Sequence, residues 1–333
     1  MKKLVGVNPN QCHQIGKVLG GIHIRENFYQ REYLTMDVDI ETRLWMYFVS
    51  VGICHQTYVL HSKKLKLFGW DYLEHIFIKL ARSNSALLNP AFISKSDDQL
   101  IIDRIRSAFT DDVPDNCTLD RLEERTRLMK DLAAGIIRKY DGKLVDFISE
   151  KKIKLIDAQK GFYHRLGQFE AYADPLFKKS TLLVKFLVEA GFIEVLDPEN
   201  YIPIMDYHMQ RVLLRMGCVE VVDKQLEMDL KKKRPLASDA VVREACIDAI
   251  RLIAEVSGHP ITIMNDFFWP LGRSCCNETL LCRDHQCEKS PCSFFLMADL
   301  REHEHCIFEG LCKAASDDNF RDFWQPVVKT HYY

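Results

Sequence analysis

Apolar residues return every three or four positions along most of the chain. Leu128, Leu132, Ile136 and Tyr140 form one such series, Leu182, Leu183, Phe186 and Leu187 a second, and Val242, Cys246, Ala249, Ile250 and Ile253 a third. That spacing lays the apolar side chains along one face of an α-helix. Strand-like alternation is scarce. Helix breakers punctuate the series at Asn89-Pro90, Asp111 to Asn116 with Pro114, Asp141-Gly142, Asp174-Pro175, Asp197-Pro198 and Gly258-His259-Pro260. The pattern predicts about ten or more helices of ordinary length. No repeat, low-complexity tract or long linker interrupts them.

Helices joined by short turns bury their apolar stripes against one another, so the expected fold class is a compact, mainly α body. The expected parts are an N-terminal helical part over 1–120, a helical part carrying the chemistry over 121–270, and a cysteine-rich loop and tail over 271–333. Composition agrees with a folded chain: 333 residues, 47% hydrophobic and 28% charged, with a formal net charge of −2. Near-neutral charge leaves no global attraction to polyanions. The basic run Lys231 to Arg234 is read as a solvated loop in preference to a phosphate contact. No apolar run approaches the roughly 20 residues that span a bilayer. With no signal-peptide core at the amino terminus, a cytoplasmic protein without a membrane partner is expected.

Twelve cysteines change this picture. Cys12, Cys54, Cys117, Cys218 and Cys246 sit among apolar neighbours, as buried cysteines do. The other seven crowd into Cys275 to Cys312, within the segment that runs from Leu271-Gly-Arg-Ser-Cys-Cys276 to Cys306-Ile-Phe-Glu-Gly-Leu-Cys312. Soft thiolates suit iron–sulfur clusters and zinc, and four can enclose either. A [4Fe–4S] cluster is expected, with zinc as the alternative. The candidate ligands are Cys276, Cys282, Cys287, Cys292, Cys306 and Cys312, with His303 and His305 as further donors.

Upstream, Met209, Val212, Leu213 and Met216 define a helix face that starts just after Asp206. An aspartate at a helix start caps free N–H groups, and the positive end of the helix favours its ionised form. Such a fixed carboxylate suits N-glycosidic cleavage, because the sugar gains positive charge as the base leaves. The plainer reading is a cap with no catalytic part.

Two resemblances bear on this choice. Gly272-Arg273-x-x-Cys276 and the Cys306 to Cys312 pair resemble the two ends of the cluster loop in endonuclease III-like DNA glycosylases. The Asp206-x-His208-x-x-Arg211-Val212 stretch is similar to the catalytic helix of helix-hairpin-helix glycosylases, whose aspartate is essential; that role is implied for Asp206. The family loop has four cysteines with an x5 final spacing. Here residues 277–305 form an insertion, and the compact set Cys276, Cys282, Cys287 and Cys292 stays open as an alternative.

A longer resemblance, over about residues 40–270, is to the queuosine salvage family, which hydrolyses queuosine monophosphate. It is carried by Arg125-x-Arg-Leu-Met-x-x-Leu-Ala-Ala-Gly with Lys139-Tyr-Asp-Gly-Lys143, by Phe177-Lys178-Lys179, Met205-Asp206-Tyr207, Arg243-Glu244-Ala-Cys, and Asp266-Phe-Phe-Trp269. It implies Lys178 near the active site, while Lys179 fits the glycosylase lysine; either could hold a phosphate or attack the sugar as an amine. His208, Asp266 and Trp269 are implied substrate contacts, the tryptophan as a stacking surface for a base.

The function expected from these resemblances is N-glycosidase action on a modified nucleoside or nucleotide. The alternatives are an iron–sulfur DNA glycosylase/lyase and a non-catalytic iron–sulfur nucleic-acid-binding protein. DNA or RNA would be the partner in those two cases. Ala173-Asp-Pro-Leu-Phe177 stands where the glycosylase hairpin has glycines, which argues against close approach to a duplex phosphate. Cys54-His55 lies along the pocket wall in the salvage resemblance, as does Phe68-Gly-Trp70-Asp-Tyr72.

Overall fold

The computed structural model describes residues 4–25, 28–111, 116–289, 292–300 and 304–333. Among the described residues the architecture is mainly α-helical, with three short two-stranded ladders. The apolar series at Leu128, Leu182 and Val242 fall on the helices Leu122–Tyr140, Lys178–Glu189 and Ala240–Ser257. The breakers act through identifiable chemistry. Asn89 accepts the Phe92 N–H at 3.1 Å with Pro90 in the first turn of Pro90–Lys95. Gly258, at φ +74°, ends Ala240–Ser257 in the left-handed conformation that glycine adopts without strain. Pro114 lies outside the described residues.

The chain divides into two compact units: residues 1–28 with 201–329, and residues 29–200 with 330–333. These cuts differ from the boundaries at 120 and 270 suggested by the sequence. In the first unit the strand Val5–Val7 pairs antiparallel with Val219–Val221. The helix Pro9–Leu19 packs on Ala240–Ser257 so closely that a Cβ on Gly16 would stand 2.7 Å from Val256 Cβ. Pairings across so much intervening chain leave no local trace in the sequence.

The second unit packs around the helix Ile40–Gly52, whose Trp45 and Phe48 are buried. Phe48 stacks on Tyr172 at 5.2 Å, and the Tyr172 hydroxyl donates to the Phe48 carbonyl at 2.6 Å. Trp70 packs against Phe186 at 5.4 Å and donates its indole N–H to Glu74 at 2.6 Å, so it serves the core. The strands Lys152–Ile153 and Glu194–Val195 run parallel in this unit. Among the described residues, no helix is long and apolar enough to cross a membrane.

Candidate functional sites: a buried lysine and a thiol cluster

In the second unit, the helix Lys178–Glu189 begins at a cap made by Asp174. The Asp174 carboxylate accepts the Leu176 N–H at 3.1 Å and the Lys178 N–H at 3.0 Å. Phe177, the last residue before the helix, adopts φ +55°, a left-handed backbone unusual for a bulky residue. Its ring stacks on Tyr163 at 4.9 Å, which offsets that strain. Glycine would take this backbone without strain.

This turn drives Lys178 and Lys179 inward. Lys179 is fully buried and donates its ammonium to the Gly52 carbonyl, while Lys178 Nζ lies 3.7 Å from Cys54 Sγ. Burial lowers Lys179 to about 7, far under the usual lysine range. The cations Lys178 and Arg125 add to this lowering, and Cys54 and Asp174 act against it. Arg125, also fully buried, donates to the His55 carbonyl at 3.0 Å, the Asp120 carbonyl at 2.8 Å and the Asp120 carboxylate at 2.8 Å. His55 is buried with neither ring nitrogen hydrogen-bonded, and burial followed by the Lys179 and Arg125 charges holds it neutral. The 330–333 tail belongs to this unit: Arg121 donates to the Thr330 carbonyl at 3.0 Å, and the Gln56 N–H to the Tyr333 carbonyl at 3.0 Å.

In the first unit, Asp206 precedes the helix Tyr207–Met216 and accepts the Met209 N–H at 3.0 Å. The carboxylate is buried, with the residue 6% exposed. His208, one turn before Arg211, takes a 3.1 Å hydrogen bond with the Arg211 guanidinium, and its ring meets Trp269 edge-on at 6.3 Å. Trp269 is half-buried with the Arg273 guanidinium 4.7 Å from its ring centre, and Asp266 on the same helix is buried. The structure therefore groups His208 and Trp269 in one place. It assigns Asp206 to a different unit from Lys178 and Lys179, all of which the sequence put in 121–270.

The same helix grips the cysteine region through two arginines. Arg211 donates to the Cys276 carbonyl at 2.9 Å and the Gly272 carbonyl at 2.7 Å; Arg215 donates to the Phe323 carbonyl at 2.9 Å and the Asn277 carbonyl at 2.8 Å. Trp324 covers both guanidiniums, 4.6 and 5.4 Å from its ring centre. Gly272 lies so close to this helix that a Cβ there would stand 2.7 Å from the His208 carbonyl oxygen. The approach is set up by Pro270. Having no N–H to continue the helix Ile261–Pro270, it hands over to a wide π-type turn, Leu271–Cys275.

That turn delivers Cys275 to Cys287 and Cys292. The Sγ atoms of Cys275 and Cys292 are 3.4 Å apart and those of Cys287 and Cys275 are 3.6 Å apart. All three lie within 4.8 Å of one another, a group able to hold a metal ion. Hydrogen bonds from Cys287 and Cys292, with burial added, push the Cys275 thiol far above its ordinary value. Thiols this crowded resist ionising together, and a bound cation relieves that repulsion. The sequence reading omitted Cys275, because the Cys275-Cys276 doublet gives no sign of which sulfur faces which neighbour.

The remaining thiols of the region lie elsewhere. Cys276 Sγ is 3.6 Å from Arg215 Nη1, and Cys312 Sγ is 3.7 Å from the Arg215 carbonyl oxygen. Burial, then the neighbouring Cys276 thiol, pushes Cys312 up to about 12. Burial likewise raises Cys306 and Cys282, and both have the Cys276 thiol as a neighbour. His305 is exposed, with Nδ1 3.3 Å from the Glu309 carboxylate; His303 lies outside the described residues. The basic run is engaged in ion pairs, Lys231 with Glu227, Lys233 with Glu278 and Arg234 with Asp229. Comparisons with known protein families and with curated proteins find no match to this chain.

Proposed function

We propose that this protein is an N-glycosidase that hydrolyses the bond between a modified base and its sugar in a nucleoside or nucleotide, with Asp206 as the essential carboxylate. The observation that carries this reading is the buried Asp206 side chain, fixed by the Met209 N–H at the start of a well-packed helix. A carboxylate held this way cannot swing aside as the sugar becomes an oxocarbenium ion. It stabilises that charge or orients the attacking water, and the departing base takes the proton. Trp269, with His208 at its edge, offers an aromatic face for the base.

In this reading the iron–sulfur cluster implied by the resemblance would take Cys276, Cys282, Cys306 and Cys312. Four thiols suit such a cluster. Its part is structural: Arg211 and Arg215 already tie this loop to the Asp206 helix, and metal ligation would stiffen the loop they hold.

A second reading, an iron–sulfur DNA glycosylase/lyase, is favoured by Lys179. An amine lowered to about 7 is partly neutral at physiological pH and therefore nucleophilic. Released from the Gly52 carbonyl and exposed to substrate, it would attack the C1′ aldehyde of an abasic sugar and lose water to give a Schiff base that borohydride traps.

The test incubates the protein with queuosine monophosphate, other nucleotides and damaged duplex DNA, and measures free base by mass spectrometry. The proposal expects base release from a small nucleotide, reduced at least about 100-fold by Asp206→Asn. Release from DNA alone, with a borohydride-trapped adduct lost in Lys179→Met, selects the second reading. Binding without any release leaves the non-catalytic alternative.

A further inference from the structure

We infer that the seven C-terminal cysteines serve two separate metals: a single zinc-class ion on Cys275, Cys287 and Cys292, and a cluster on Cys276, Cys282, Cys306 and Cys312. The sulfur spacing in the triad fits a single ion. Ligands on one tetrahedral ion with metal–sulfur bonds of about 2.3 Å stand about 3.8 Å apart. The triad's 3.4 and 3.6 Å separations come within a few tenths of an ångström of that edge. A four-iron cube places irons and bridging sulfides between its ligands and needs them farther apart, so the triad is too tight for it.

The triad is also braced from behind. Ser274, fully buried and next to Cys275, accepts the Ser293 N–H on its hydroxyl at 3.2 Å, and its carbonyl accepts the Glu288 N–H at 3.0 Å. Ser293 follows Cys292 and Glu288 follows Cys287. One serine thus pins the chain beside all three thiols. Glu288 adds a second tie by accepting the Asn277 amide at 2.8 Å. Hydrogen bonds that orient the backbone of each ligand are the supporting shell a metal site requires.

The two cysteines of the doublet have different neighbours. Cys276 has φ −131° and ψ 57°, its sulfur lies 3.6 Å from Arg215 Nη1, and it is a close neighbour of Cys282, Cys306 and Cys312. Cys306 reaches Cys312 through two consecutive turns, Glu309 N–H to Cys306 carbonyl at 2.9 Å and Cys312 N–H to Phe308 carbonyl at 2.7 Å. Four thiols, including Cys282, are left for the cluster. Binding at the triad deprotonates its thiols and releases those protons to solvent.

The zinc site stands independently of the N-glycosidase reading, while the cluster site rests on the same resemblance. Metal content and base release are therefore measured on the same preparations of full-length protein, purified anaerobically. The expected result is about one zinc per chain beside iron, with absorbance near ~400 nm. Cys287→Ser should lose the zinc and keep the absorbance; Cys306→Ser should do the reverse. Should Cys287→Ser fold poorly, zinc-stripped wild-type protein titrated with cobalt(II) should develop thiolate charge-transfer bands. Zinc below about 0.2 per chain, loss of iron from Cys287→Ser with zinc intact, no cobalt–thiolate bands, or a Cys275–Cys292 disulfide in intact-mass analysis would each overturn the two-metal assignment. Loss of base release with both metals in place would instead refute only the catalytic reading.

Discussion

The lysine region in 29–200 and the cysteine region in 201–329 bury titratable groups in opposite ways. Around Lys179 burial outweighs the favourable Cys54 and Asp174 neighbours, and the cations Lys178 and Arg125 add to it, so the interior pushes it toward the neutral amine. Around Cys275 the neighbours are other thiols, and their hydrogen bonds, with burial added, keep it protonated in a group that could hold a metal ion. A buried amine near neutrality can be uncharged by itself. A thiol cluster is ready for a ligand. The difference separates a candidate reactive group from a candidate structural clamp.

The largest expected effect that would break this comparison is on Arg125. Arg125→Ala strips donors from the buried Ile53 and His55 carbonyls and from the Asp120 carbonyl, and should destabilise the fold by about 3–5 kcal/mol in urea unfolding. Metal content of the cysteine region should not change. If the variant unfolds no more easily than the wild type, the arginine is not what organises the lysine site.

Next comes pH. The folded protein holds Lys179 at about 7 while the unfolded chain keeps it protonated to about 10.4, so the unfolded state binds the extra proton between those values. Stability should therefore rise with pH across that window, by on the order of a few kcal/mol, and the penalty should be complete below pH ~7. Lys179→Met should flatten the rise. A slope that persists unchanged in Lys179→Met assigns the titration to another group.

Smaller effects sharpen the other side. Gly272→Ala places a methyl against the His208 carbonyl, where only backbone could give way, and should cost about 1–3 kcal/mol while loosening the Arg211 contacts with the loop. Thermal unfolding that is unaffected would show the loop and helix to be less tightly fitted. The smallest is Asp206→Ala, which removes the cap and should cost about 1 kcal/mol, whereas Asp206→Asn caps nearly as well.

Much of the helical framework was legible because its signals are local. The apolar series at Leu128 and Val242, the Asn89-Pro90 start, the Gly258 stop and the Asp206 cap each lie within a turn or two of what they control. What depended on distant partners was not legible. The pairing of Val5–Val7 with Val219–Val221 places the amino terminus in the unit that holds Asp206, and no local pattern announces it. Lys178-Lys179 read equally well as solvated charge. Only the Asp174 cap and the left-handed Phe177 turn the pair inward, and a positive φ at phenylalanine has no sequence signal. Cys275 was passed over for a similar reason: the wide turn behind Pro270 decides which member of the doublet faces Cys287 and Cys292.

The most direct test of the central claim compares base release by the wild type and Asp206→Asn, at matched thermal stability and matched metal content. The account predicts free base from a modified nucleotide with the wild type and a loss of at least about 100-fold with the variant, whose cap and fold survive. Base release that continues undiminished in Asp206→Asn would contradict it.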